Sequence, residues 1–201
     1  MKPAPIKAET IVQRQIEWTN RWHEGSTAPR HDEPWTDIER NHRMNFDLWH
    51  AEDEARRDDL GPANVCAAKR IIDRCNQSRN DAIEQFDLWL LGKLPPIREN
   101  AALHSETAGM IVDRLSIMAL KIYHMRIEAT RESADEAHRR KCAQKCVVLE
   151  EQHHDLKRCL QSLVDEMLAG TRQCKLYRQF KMYNDASLNP QLYQKPAAAG
   201  R

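Results

Sequence analysis

NFDLWHAEDEARRDDLGPANVCAAKRIIDRCNQSRNDAIEQFDLWL, Asn45 to Leu90, is the stretch on which the fold turns. Gly61-Pro62 breaks it near its middle, and each side repeats at helical spacing. Before the break, Ile38, Asn45, Leu48, Trp49, Glu52 and Arg56 share one face of a helix. That helix is expected from about Trp35, started by Pro34, to Asp58. After the break, Val65, Ala68, Ile72, Cys75, Ile83, Phe86 and Leu90 form an apolar stripe. The second helix is expected from Ala63 to Leu91, ended by Gly92 and then Pro95-Pro96. A short Gly-Pro joint between two amphipathic helices predicts an antiparallel hairpin.

Working outward, residues 5–23 read as a first helix with Ile11, Gln15, Trp18 and Trp22 on one face, and 24–34 as a loop. Residues 93–105 read as a linker. Ser105 or Thr107 is expected to cap a fourth helix reaching Arg131. This helix is apolar on nearly every side, with Ile111, Leu115, Met118, Ile122 and Met125 on one face and Ile117 and Leu120 on the other. That pattern places it in the middle of a bundle. Ser133 and Glu136 have capping-box spacing for a fifth helix. It should run about 35 residues, or about 50 Å, to Leu168, with Gly170 closing it. A short sixth helix is expected over 171–182. The fold class is therefore all-α, a five- or six-helix bundle with an antiparallel helix 2–3 hairpin and a central helix 4. Residues 1–192 form one domain and 193–201 a disordered C-terminal tail.

The chain has 201 residues, with 31 Lys plus Arg against 30 Asp plus Glu, so its net charge selects neither nucleic acid nor an acidic membrane. A mean hydropathy of −0.76 and the lack of a long apolar run argue against a membrane span. MKPAPIKAET has no apolar segment behind its lysine, so no secretory signal is expected and the protein is placed in the cytoplasm. The cysteines, four of them in helical patterns (Cys66, Cys75, Cys142, Cys146), are then expected as reduced thiols.

The hairpin carries polar side chains where helices usually carry apolar ones. Arg79 interrupts the apolar stripe of the second hairpin helix, flanked by Lys69, Asp73, Asn76 and Asn80. Folding about Leu60 sets Asn45 opposite Asn76, Glu52 opposite Lys69 and His42 opposite Arg79, with Trp49 near Ile72 and Asp73. Buried polar groups are costly unless paired. Two readings follow: a hydrogen-bonded network that sets register, or a ligand pocket. The candidate binding set is Asn45, Trp49, Glu52, Asp53, Arg56, Lys69, Asp73, Asn76, Arg79 and Asn80. In it Arg79 and Lys69 suit an anion, Glu52, Asp53 and Asp73 suit sugar hydroxyls or a metal, and Trp49 offers a stacking face. The carboxylates only loosely imitate the paired acids of all-α, Mg²⁺-dependent pyrophosphohydrolases, so no metal and no cofactor are expected.

His138, Cys142, Cys146 and His153 are ligand types that zinc accepts, on one helical face. The stripe continues through Leu149, Leu156, Leu160 and Leu163, which makes a packing seam the expected role. Lys175 to Lys181, interleaved with Tyr177, Phe180 and Tyr183, reads as an arm docking on the bundle rather than as an RNA contact. There is no Gly-rich phosphate loop and no nucleophile elbow.

Four stretches carry a family likeness: NFDLWHAEDEAR at 45–56, IDRCNQSRNDAIE at 72–84, SETAGMIVDRLSIMALKIYHM at 105–125 and YRQFKMYNDASLNPQL at 177–192. Together the chain resembles a bacterial all-helical family described only as a domain of unknown function. Glu106-Thr107-Ala108-Gly109, Asp113-Arg114-Leu115 and Lys121 resemble a second uncharacterised family. The resemblance implies a genomic neighbourhood of surface-polysaccharide glycosyltransferases and no assigned catalytic residues. It also singles out Glu106, Asp113, Arg114 and Lys121 on the central helix, with Asp113 and Lys121 on different faces. Asn184, Asp185 and Asn189-Pro190 are expected to pack the tail on the bundle.

The leading functional expectation is an accessory or binding protein that takes a sugar- or phosphate-bearing ligand, or a glycosyltransferase partner, through the polar seam. The alternatives are a metal-dependent hydrolase of a nucleotide-sugar or related phosphate, and a structural module forming homodimers through helix 5. Neither nucleic acid nor membrane is expected as a partner.

Overall fold

The computed structural model describes residues 4–26, 32–96, 98–178 and 185–194. Helices α1 (Ala8–His23), α2 (Trp35–Glu54), α3 (Pro62–Leu91), α4 (Ala108–Thr130) and α5 (Glu136–Leu168) build the bundle, followed by a short α6 (Pro190–Tyr193). The fold is all-α, and among the described residues no helix is long and apolar enough to cross a membrane. Two three-residue strands, β1 (Ala102–His104) and β2 (Arg172–Cys174), pair in parallel, with Leu103 opposite Gln173. They tie the linker before α4 to the chain leaving α5.

α2 and α3 form the expected hairpin, α4 and α5 form a second, and α4 also packs against α1, α2 and α3. Ile111, Leu115 and Leu120 of α4 are fully enclosed with Ile11, Ile38, Phe86, Leu90, Leu160 and Val164 from its neighbours. Leu48, Ala51, Ile72 and Cys75 form a smaller cluster between α2 and α3. The α5 stripe is spent inside the molecule: Cys142, Cys146, His153, Leu160 and Leu163 are buried. Leu160 and Leu163 are thus not an open face, while Val147 and Val148 of the same helix are exposed.

Of the two expected caps of α4, Thr107 takes the role, its Oγ1 accepting from the Met110 amide at 3.2 Å. Several other local expectations are corrected. Asp135, not Ser133, caps α5, its carboxylate accepting from the His138 amide at 2.7 Å. An ionised cap at a helix N-terminus also interacts with the macrodipole, which a serine does not. The helix expected over 171–182 is replaced, in its described part, by β2 and extended chain to 178; 179–184 lie outside the described residues. Gly170 does close α5, at φ 71°. Asn184 lies outside the described residues. Asp185 and Asn189-Pro190 belong to an exposed segment with Leu188, Leu192 and Tyr193 at the surface, so the expected docking is not found there.

α3 and α4 approach closely at Gly109. Its amide donates to Asp87 Oδ1 at 2.7 Å. A Cβ built there would lie 2.8 Å from the Ile83 carbonyl oxygen and 2.9 Å from Asp87 Cγ. The helix must therefore shift off α3 if the side chain grows. Gly109→Ala is expected to lose about 2–3 kcal/mol, as overpacking at a backbone contact usually does. A urea midpoint within error of wild type would refute that close approach.

Candidate functional site

The polar residues of α2 do not all face α3, because α2 also lies against α1 and α4. Asn41, His42 and Asn45 are buried and join side chains of three other helices. Asp113 of α4 accepts at Oδ1 from Asn41 Nδ2 and Asn45 Nδ2, both at 2.8 Å. Asn45 Nδ2 also donates to Ser116 Oγ at 2.9 Å. Ser116 Oγ lies 2.7 Å from His42 Nδ1, and His42 Nε2 lies 2.9 Å from Thr19 Oγ1. Thr19 Oγ1 donates to the Gln15 carbonyl oxygen at 2.8 Å.

The direction of this chain follows from its ends. The Thr19 hydroxyl proton is committed to a carbonyl, so Thr19 accepts from His42 Nε2–H. His42 Nδ1 is then the acceptor and takes the Ser116 proton, while Ser116 accepts from Asn45. His42 is therefore neutral, in the Nε2–H tautomer. Complete burial lowers its pKa from 6.5 to about 3, against the small opposing effect of Gln15.

Arg79 enters from α3. Its Nη1 donates to Asn45 Oδ1 at 3.3 Å and its Nε lies 3.7 Å from Asp113 Oδ1. The acid that answers Arg79 thus comes from α4, not from Glu52 or Asp73. Arg79 Nε makes no hydrogen bond, and the Arg79 side chain is 25% exposed. His42 does not face Arg79 as the simple hairpin register predicts; it points away, toward α1.

Beside Arg79 a cleft of about 390 Å³ opens between α2, α3 and α4. Of the predicted set it gathers Asn45, Trp49, Glu52, Asp53, Arg56, Asn76 and Arg79, with Ile117 and Leu120 as apolar wall. Three predicted residues fall elsewhere. Lys69 and Asp73 pair with each other one helical turn apart on the exposed side of α3, which removes both from the cleft and from Glu52. Asn80 lines a different, small hollow with Asp87, Thr107 and Tyr177. Glu52 pairs with Arg56 at 2.9 Å. Glu52, Asp53 and Asp73 do not converge as a carboxylate metal site.

Gln15, Thr19, Asn41 and Ser116 join the site without having been among the candidates that the sequence offered. A polar residue inside each apolar face was the available signal, but only packing shows that they meet. A group of three histidines likewise has no signature in the sequence. His23, His50 and His124, from α1, α2 and α4, have ring centroids 5.2 to 6.0 Å apart. Among the described residues they form the one group able to offer three ligand atoms within 4.8 Å of one another. The zinc-type residues of α5 are engaged locally instead: His138 Nε2 lies 3.0 Å from Glu128 and 3.4 Å from Cys142 Sγ.

The likeness noted in the sequence is resolved by comparison. A family model described as "Protein of unknown function (DUF4254)" matches residues 35–176. No curated protein and no solved structure matches the chain. The matched span runs from the start of α2 past β2, and so holds the hairpin, the central helix and every cleft residue. Covering well over half of the sequence, it shows that the chain belongs to the DUF4254 family.

Proposed function

We propose that this is a binding protein whose α2–α3–α4 cleft takes a small sugar- or phosphate-bearing ligand. The observation that carries the reading is the state of Arg79. It is held in place by Asn45 and Asp113, yet stays a quarter exposed in a cleft that Trp49 and Asn76 also line. A fixed guanidinium offers paired donors to a phosphate or carboxylate, and an indole beside it offers a flat face to a sugar or base. Asn76 and Asp53 supply hydrogen-bonding groups for hydroxyls. An accessory role toward a glycosyltransferase accords with such a ligand.

Calorimetric titration with sugar phosphates and nucleotide-sugars tests this. Binding is expected for at least one class, and Arg79→Lys should weaken it by about tenfold or more, since lysine keeps the charge but loses the fork. Unchanged affinity in that variant, or no binding by any member of either class, would sink the proposal.

A second reading, a metal-dependent hydrolase of such a ligand, is favoured by one feature. Asp53 lines the cleft and also acts electrostatically on His50 and His124. Turnover of a nucleotide-sugar in the presence of a divalent transition metal, lost in Asp53→Asn, would replace the first reading with this one.

A further inference from the structure

We infer that His23, His50 and His124 form a binding site for one divalent transition-metal ion of the zinc type. The argument rests on geometry and on unmet hydrogen-bonding capacity. His23 Nδ1 lies 2.8 Å from the Thr19 carbonyl oxygen, which can only accept, so Nδ1 carries the proton and Nε2 keeps its lone pair. That Nε2 is buried without a hydrogen-bond partner, and so is Nε2 of His124. Two neighbouring imidazole nitrogens left unsatisfied inside one aromatic cluster are an expense that folded proteins usually avoid. A metal ion would satisfy both at once.

The rings are set rather than loose. His124 stacks on Trp49 at 4.4 Å between centroids and 1° between planes, and His23 stacks on Tyr123 at 4.0 Å. The Nδ1 contact of His23 to a backbone carbonyl is the outer partner that metal-ligating histidines commonly have, since it fixes tautomer and ring direction. His50 closes the triangle from the exposed end, its ring edge against Phe46 at 4.6 Å. Zinc–nitrogen bonds of about 2.0–2.1 Å need ligand nitrogens roughly 3.4 Å apart, so ligand atoms that lie within 4.8 Å of one another must draw together on binding.

Ligand chemistry selects the ion. Three neutral imidazoles suit Zn²⁺, Co²⁺, Ni²⁺ or Cu²⁺, whereas Mg²⁺ and Ca²⁺ require oxygen donors. Three histidines leave a fourth position open to water or another ligand. The inference does not depend on the ligand proposed for the cleft.

The test uses the full chain, stripped with chelator and titrated with Zn²⁺ and then Co²⁺, with metal content measured after dialysis. One ion per chain is expected, with a visible Co²⁺ spectrum free of thiolate charge-transfer bands. His50→Ala removes an exposed ligand without opening the core, and His124→Gln removes a half-buried one. Each should weaken binding by about a hundredfold or more. Retained stoichiometric binding in folded His50→Ala, a thiolate signature in the Co²⁺ form, or no binding by wild type would each overturn the assignment.

Discussion

Replacing Asp113 with alanine is expected to remove about 3–5 kcal/mol of folding stability, the range seen when one partner of a buried ion pair is deleted. Asp113 Oδ1 is the acceptor for Asn41 and Asn45 and the counter-charge of Arg79. Without it, the buried Asn41 amide loses its acceptor, Asn45 Nδ2 keeps only Ser116, and a largely enclosed guanidinium loses its acid. For a chain of this size the melting temperature should fall by roughly 6–20 °C. Asp113→Asn keeps an oxygen where both amides point and loses only the charge, so it should cost less, about 1–2 kcal/mol. Arg79→Leu in the Asp113→Ala background should restore part of the loss, because the stranded charge is then gone. Equal effects of the alanine and asparagine variants would mean that the amides draw nothing from this carboxylate.

Acidification should destabilise the protein from about pH 6.5 downward, with His42 the largest single source. Its folded pKa is about 3 against 6.5 in the free side chain, so the unfolded chain binds the proton first and stability falls as pH drops through that window. At about 1.4 kcal/mol per pKa unit the full effect is on the order of 5 kcal/mol. The structural cause is that His42 Nδ1 accepts the Ser116 proton, and a protonated ring has no acceptor to offer.

Asp87 works in the opposite direction. Burial raises its pKa from 3.8 to about 6, against the hydrogen bonds from Thr107 and Gly109 that favour the ionised form. The native state therefore holds this proton longer, and its contribution is present at low pH and lost as pH rises through about 6. Asp87→Asn keeps an acceptor for the Gly109 amide and abolishes the titration. It should be more stable than wild type near neutral pH and should lose stability more steeply on acidification. Urea unfolding at several pH values between about 7.5 and 4.5 reads both slopes; parallel curves for the two proteins would contradict this assignment.

Much of the hairpin was legible in one dimension, because helical period, a Gly-Pro break and a capping threonine are local signals. The odd residue was legible as well. An arginine in the apolar stripe of α3 marks an expensive site whatever its partner, and Asn45, Trp49, Glu52, Asp53, Arg56 and Asn76 do gather around it. Lys69, Asp73 and Asn80 were misplaced because a flat two-helix register ignores that α3 turns part of its circumference to solvent and part to α4.

The misassigned cap of α5 has the same origin at smaller scale: Ser133 and Asp135 are both good caps by type, and only the path of the chain into the helix selects between them.

The sequence by itself determined the fold class, the α2–α3 pairing, the central place of α4 and the existence of a polar seam. These follow from which residues repeat at helical spacing. Tertiary structure alone decided the partners. Asp113 answers Arg79, Ser116 and Thr19 hold His42 neutral, and three histidines from three helices converge, because an internal polar group is satisfied by whichever helix packs against it. Periodicity gives the face a residue occupies on its own helix. It does not give the rotation and depth of the neighbour, and hydrogen bonds form only within about 3 Å.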